Sequence, residues 1–86
     1  DYSITQNYPN PFNPSTIISY ALPKEEMVTI RVYDILGQVV KTLVNQSQSA
    51  GTHNVTFNAN NLTTGIYFYS IQAGNFNQVK KMMLLK

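Results

Sequence analysis

The chain has 86 residues, of which 12% are charged, and a formal net charge of +2 at pH 7. This length fits one domain (residues 1–86), and six Lys and Arg residues are too few for a nucleic-acid interface. The absence of cysteine excludes disulfides and thiolate metal sites. No apolar run approaches the roughly 20 residues of a membrane span. Abundant Thr, Tyr, Val, Ile and Phe favour an all-β fold.

The chain begins with two segments that the sequence does not predict to be regular strands. Residues 1–6 are expected to be the end of a linker, and residues 7–14 form a proline-rich opening segment. A proline has no N–H to donate, so this segment is neither a helix nor a central strand. Tyr8 and Phe12 favour packing against the domain over a flexible linker, and the segment is the candidate for an irregular seventh strand. Its prolines are Pro9, Pro11 and Pro14.

Six clear strands follow, at spacings near ten residues. Val28, Ile30 and Val32 alternate with polar positions, which is typical of a half-buried strand. Between strands we expect a tight turn with positive φ at Gly37, a polar loop over residues 45–51 and a short hairpin at Gly74. This pattern predicts an immunoglobulin-like β-sandwich of about seven antiparallel strands. The predicted strands are 15–22, 27–34, 38–44, 52–58, 65–72 and 76–85.

One motif supports the sandwich independently. Leu62, Gly65 and Tyr67 have the Leu-x-x-Gly-x-Tyr spacing of a tyrosine corner. In such a corner the tyrosine hydroxyl folds back onto backbone a few residues upstream. We expect Gly65 to allow a close approach in the turn and Leu62 to fill the core beneath it, so this role is structural.

The residues that could carry chemistry are isolated from one another. His53 is the single histidine and has no carboxylate nearby in sequence, so it is expected at the surface or at a strand edge. Glu25 and Glu26 are adjacent and would face opposite ways on a strand, unlike the paired carboxylates of a hydrolase. Amide oxygens at residues 58, 60 and 61 lack the carboxylates that a calcium site needs. We expect no enzyme activity, no metal site and no cofactor.

The last seven residues carry an unusual pattern, since three of the six basic residues stand there. Alternation on a strand places one set of side chains on one face and the second set on the other. The segment is either a final strand with lysines that protect its edge, or an edge strand that a partner reads through backbone pairing and charge. The residues alone leave both interpretations open. The two sets are Lys80, Met82 and Leu84, and Lys81, Met83 and Leu85, followed by Lys86.

Four blocks of the sequence resemble a known family in both order and spacing. Residues 7–16, followed by Ile18, Tyr20, Leu22 and Pro23, resemble the opening of type A C-terminal sorting domains of the type IX secretion system, a family typical of Bacteroidetes. Residues 32–37, 62–69 and 80–86 are similar to its later blocks. Met82 and Met83 depart mildly from the Val, Ile or Leu frequent in the family, although Met is also flexible and apolar.

The resemblance implies a function as a non-catalytic sorting signal. Such domains follow a cargo domain in the same precursor, which enters the periplasm and then crosses the outer membrane to the surface or the medium. The implied partners are type IX translocon proteins and a sortase that usually removes the domain. The resemblance assigns translocon recognition to the terminal segment 80–86, read together with the folded surface.

The sequence is also compatible with two other functions and with an edge-to-edge dimer. The domain could be a passive immunoglobulin-like accessory module of a secreted enzyme, which would need no special C-terminus. A carbohydrate-binding module would instead present a line of exposed aromatic side chains on one sheet face. An exposed terminal strand could also pair two copies edge to edge.

Overall fold

The computed structural model describes all residues from 1 to 86 and contains strands and turns without a helix. This confirms the all-β class expected from the abundance of β-branched and aromatic residues. The seven strands are β1 (Ser3–Ile4), β2 (Ser15–Leu22), β3 (Glu26–Tyr33), β4 (Val39–Gln48), β5 (Gly51–Asn58), β6 (Gly65–Ala73) and β7 (Phe76–Leu84).

The strands form two sheets, as expected for a β-sandwich. One sheet has the order β1-β2-β5, and the other has the order β4-β3-β6-β7. All neighbouring strands pair antiparallel. The terminal strand β7 is therefore an edge strand of the four-stranded sheet, next to β6.

The core lies between the sheets and is built from alternate positions of the strands. Val28, Ile30 and Val32 of β3 are fully buried, which confirms the predicted alternation. Tyr20 and Tyr69 are the largest of the fully buried side chains. The buried apolar residues form one cluster: Ile4, Phe12, Ile18, Tyr20, Leu22, Val28, Ile30, Val32, Val44, Phe57, Ala59, Tyr67, Tyr69, Ile71, Ala73, Met82 and Leu84.

The turn between β3 and β4 has the predicted geometry. Gly37 has a φ of 83°, which glycine adopts without the steric cost that a side chain would impose. Its N–H donates to the Asp34 carbonyl at 3.0 Å. The Asp34 carboxylate accepts from the amides of Leu36 and Gln38 at 2.9 and 3.0 Å, so this acid belongs to the turn.

The predicted polar loop over residues 45–51 is wrong. β4 continues to Gln48, and only Ser49 and Ala50 separate it from β5. The polar residues 45–48 pair in register with residues 26–29 of β3. They fit an edge strand because its solvent side tolerates uncharged polar side chains. The β3–β4 ladder also contains two register shifts, which make β4 an irregular edge.

The start of the chain differs from expectation in two respects. Residues 1–6 contain the seventh strand, β1, whereas the proline-rich segment makes only isolated bridges. Phe12 is buried as predicted, but the predicted packing of Tyr8 is wrong, since it is 80% exposed. The Tyr8 amide and carbonyl both bond to Ile17 at 3.0 Å, and the strand-like alternation then turns Asn7 inward and Tyr8 outward.

The tyrosine corner is present. The Tyr67 hydroxyl donates to the Thr63 carbonyl at 2.8 Å, and Leu62 packs partly buried against the core. The expected close approach at Gly65 is wrong, because a Cβ added there would have no atom within 4 Å. The loop is instead held by the Tyr67 hydroxyl and by the Leu62 amide, which donates to the Ala59 carbonyl at 3.0 Å.

A buried hydroxyl ties the start of the chain to the four-stranded sheet. The Tyr69 hydroxyl donates to the Thr5 carbonyl at 2.7 Å and accepts from the Asn7 amide at 2.8 Å. Burial raises the pKa of Tyr69 to about 12, opposed by the hydrogen bond from Asn7. The neutral phenol is therefore the form that the folded domain stabilises.

We expect Tyr69→Phe to lower the free energy of unfolding at neutral pH by about 1–3 kcal/mol, because the buried Asn7 backbone N–H and the partly buried Thr5 carbonyl lose their partner. In the parent, the unfolded phenol ionises near pH 10 and the folded one near 12, so stability falls as pH rises through this window. The variant should lose less stability there. Urea unfolding at neutral and alkaline pH measures both effects.

Tyr8→Phe is the matched control, since Tyr8 is exposed and its change should leave both quantities as in the parent. Burial also raises the pKa of Tyr20. This tyrosine and the others contribute equally to the alkaline loss of stability in the parent and in Tyr69→Phe. An unchanged alkaline loss of stability in Tyr69→Phe would contradict the assigned role of its hydroxyl.

Candidate functional site

The sequence-predicted site residues form the second half of β7 and the chain end that follows. Met82 and Leu84 point between the sheets and are 1% and 0% exposed. Lys81, Met83 and Leu85 are exposed on the opposite side. The predicted division into two faces is confirmed. The inward pair belongs to the core, so the exposed residues are the ones that another molecule can contact.

The outer edge of this half of β7 is covered by the opening segment of the same chain. We call residues 6–12 the clasp. The Phe12 amide donates to the Met83 carbonyl, and the Leu85 amide donates to the Phe12 carbonyl, each at 3.0 Å. The Asn10 side-chain oxygen accepts from the Met83 amide, also at 3.0 Å. The clasp thus takes the place of a neighbouring strand.

The rest of the β7 edge is open. After the two-residue turn, Ala73 of β6 and Phe76 of β7 are the first residues joined by backbone hydrogen bonds between these strands. Every second residue from Asn77 onward therefore directs its N–H and C=O groups away from β6, toward the outer edge. The Gln6 side chain donates to the Lys81 carbonyl at 2.7 Å. The outward groups of Asn77 and Val79 bond to no residue of the clasp. A partner strand could pair only with this open section while the clasp is closed.

Polar groups that the sequence analysis missed hold the clasp. Asn7 is 2% exposed, and its side-chain Nδ2 donates to Thr16 Oγ1 at 3.0 Å and to the Pro9 carbonyl at 3.1 Å. Thr16 Oγ1 donates to the same carbonyl at 2.8 Å, and Gln6 donates to Asn7 Oδ1 at 2.7 Å. No buried side-chain nitrogen or oxygen lacks a partner. The sequence feature that could have indicated this polar cluster is the asparagine at an inward position directly before Tyr-Pro.

The chain end is attached to the tyrosine-corner loop. The Lys86 amide donates to Thr64 Oγ1 at 3.1 Å, and its ammonium donates to the Asn60 carbonyl at 2.5 Å. The predicted residue Lys86 therefore lies beside the corner while Lys81 lies on the sheet. Lys80 is half-buried and is the register partner of Tyr69 on β6.

A shallow groove of about 240 Å³ lies where the clasp meets β6 and β7. Half of its lining comes from the predicted terminal segment. The groove combines the proline-rich block and the terminal block, which are far apart in sequence. Its lining residues are Asn10, Pro11, Ile66, Lys81, Met82 and Met83.

His53 and Glu25, which the sequence suggested as possible chemical groups, have structural partners. His53 lies on the edge strand β5, where its ring stacks on Tyr20 at 5.4 Å and its Nε2 lies 2.8 Å from the Ser49 carbonyl. Glu25 accepts from the Ser47 hydroxyl at 3.3 Å. No group of three or more His, Asp or Glu side chains comes together in a way that could hold a metal ion. The structure contains no helix that could span a membrane.

Comparison with known proteins identifies a matching family. A family model described as a secretion system C-terminal sorting domain matches residues 6–85. The match includes the clasp, β7 and the tyrosine corner. A search of curated proteins gives no match.

We expect Asn10→Ala to speed hydrogen exchange of the Met83 amide at least tenfold, because Asn10 supplies its acceptor. The Leu85 amide, which donates to the Phe12 carbonyl, should change less. NMR-detected exchange of the folded domain measures both amides. Asn77→Ala, in the open section of the edge, is the matched control. Equal protection of Met83 in parent and Asn10→Ala would contradict the clasp.

Proposed function

Because the chain belongs to the family of type IX secretion system C-terminal sorting domains, we propose that its terminal segment 80–86 is recognised by the translocon as part of a folded surface. The family is non-catalytic, and its sorting role implies export through the outer membrane to the cell surface or the medium. We further propose that an attached cargo domain passes through the periplasm and that a sortase removes the sorting domain at the surface.

The division of β7 into two faces is the observation that supports this proposal. Lys81, Met83 and Leu85 project together from the outer side of the sheet, while Met82 and Leu84 fill the core. The proposed recognition therefore depends on the outward side chains. The inward residues act through stability, and the clasp leaves few backbone groups of this segment free to pair with a partner.

Removing the segment is a poor test of recognition, since a deletion from Met82 onward also removes two core side chains. Truncating either Met82 or Leu84 to alanine alone is expected to cost about 2–5 kcal/mol. That is a large share of the roughly 5–15 kcal/mol that stabilises an ordinary small domain. A deleted domain could fail in export because it unfolds.

Outward substitutions separate recognition from folding. In a bacterium with type IX secretion, a periplasm-directed reporter carries either the parent domain or the triple variant Lys81→Thr, Met83→Thr and Leu85→Thr. Threonine suits an exposed strand position, so the melting temperature should change little. We expect the exported fraction to fall at least tenfold. Secreted and periplasmic reporter are measured by immunoblot and fluorescence.

The matched control carries Asn77→Thr and Val79→Thr, which face the same side of β7 outside the terminal segment. It should be exported like the parent. Normal export of the triple variant would refute recognition through the segment. Failure of the folded parent to leave the periplasm would refute the sorting role and favour an accessory module, whereas retention on polysaccharide gels would favour a carbohydrate-binding module.

A further inference from the structure

The outer face of the four-stranded sheet has an apolar half next to the terminal segment. Cross-strand register places Val39 beside Tyr33, Tyr33 beside Phe68, and Ile66 beside Met83. Cross-strand neighbours point to the same side of a sheet, so these five side chains are continuous across all four strands. We call Tyr33, Val39, Ile66, Phe68 and Met83 the outer band.

The outer band is not needed for the core. None of its members belongs to the buried cluster or is among the partly buried apolar residues packed against it. Val39 is 52% and Met83 41% exposed, and the other three are half-buried by their neighbours on the sheet. Apolar side chains that cover a solvent face without supporting the interior are a feature of interaction surfaces.

The other half of the same face is mixed, with a polar row and two separate apolar residues. Two ladder steps beyond Tyr33, the register aligns Asn45, Thr29, Gln72 and Asn77 across the four strands. Met27 and Val79 are exposed on either side of this row, at 54% and 62%. A sheet with one solvated face ordinarily carries polar residues there, so the polar row follows that pattern and the continuous outer band departs from it.

The charges beside the band have one sign. Lys81 is the register partner of Phe68, and Arg31 lies one step away, opposite Ser70. The nearest acid, Asp34, uses its carboxylate to accept two amides of its own turn. A partner complementary to this surface presents an apolar patch bordered by carboxylates.

We propose that the outer band is a docking surface for a protein with such an acidic-bordered apolar patch. The inference rests on the proposed function, because it assigns this patch to the type IX component that recognises the terminal segment. It extends the contact from β7 across the sheet to β4. Met83 is shared by both regions, whereas Tyr33, Val39 and Phe68 lie far from the terminus in sequence.

Two variants test the band without changing the terminal segment. The first carries Tyr33→Thr and Phe68→Thr, and the second carries Arg31→Glu. The matched control carries Asn45→Thr and Gln72→Thr in the polar row of the same face. With melting temperatures close to that of the parent, we expect the first two to lower the exported reporter fraction at least tenfold and the control to match the parent.

A photo-crosslinking amino acid at position 39 tests contact directly, three strands away from β7. We expect it to capture a type IX outer-membrane protein, identified by mass spectrometry, and Arg31→Glu to abolish the adduct. The same probe at position 45 should capture none. Adducts only to a second copy of the domain, to lipid or to polysaccharide would overturn the inference.

The failures of the two proposals are distinguishable. Export of the parent, loss of export in the terminal triple variant and normal export of both band variants would overturn the docking surface alone. A folded parent that is not exported would overturn the sorting role and, with it, the inference that depends on that role.

Discussion

The two backbone hydrogen bonds between Phe12 and the terminal strand are the constraint on which the rest of the structure depends. They join residues near the start of the domain to Met83 and Leu85 near its end, and Asn10 and Gln6 extend the contact along the same edge. The terminal strand is therefore held on both sides, by β6 and by the clasp. A partner that meets the folded domain finds side chains along this segment and very little free backbone.

This arrangement separates two requirements of the recognition that we propose. The recognised segment must be part of a stable fold, and it must also be accessible. Inward residues such as Met82 and Leu84 meet the first requirement because they complete the core. Outward residues such as Lys81 and Met83 meet the second, and the outer band continues their surface across the sheet. The irregular edge at β4 and the partly covered edge at β7 also limit unwanted strand pairing.

Local patterns predicted much of the fold. The alternation in β3, the full extent of β2 and the Tyr67 corner follow from short-range sequence rules, and the two faces of β7 follow from the period of a strand. The clasp could not be predicted in this way, because it depends on contacts such as Asn7 with Tyr69, 62 residues apart. The length of β4 was missed because its polar residues are stabilised by pairing with β3, which composition does not reveal.

We propose that a partner recognises the terminal strand through its outward side chains while the clasp stays closed. Hydrogen exchange of the Phe12 amide, in the free domain and bound to purified type IX outer-membrane translocon, tests it most directly. This amide donates to the Met83 carbonyl from the clasp side, so a strand that displaced the clasp would leave it exposed. The account predicts that Phe12 stays protected in the complex. Loss of its protection upon binding would show that the partner replaces the clasp and pairs with the backbone of β7.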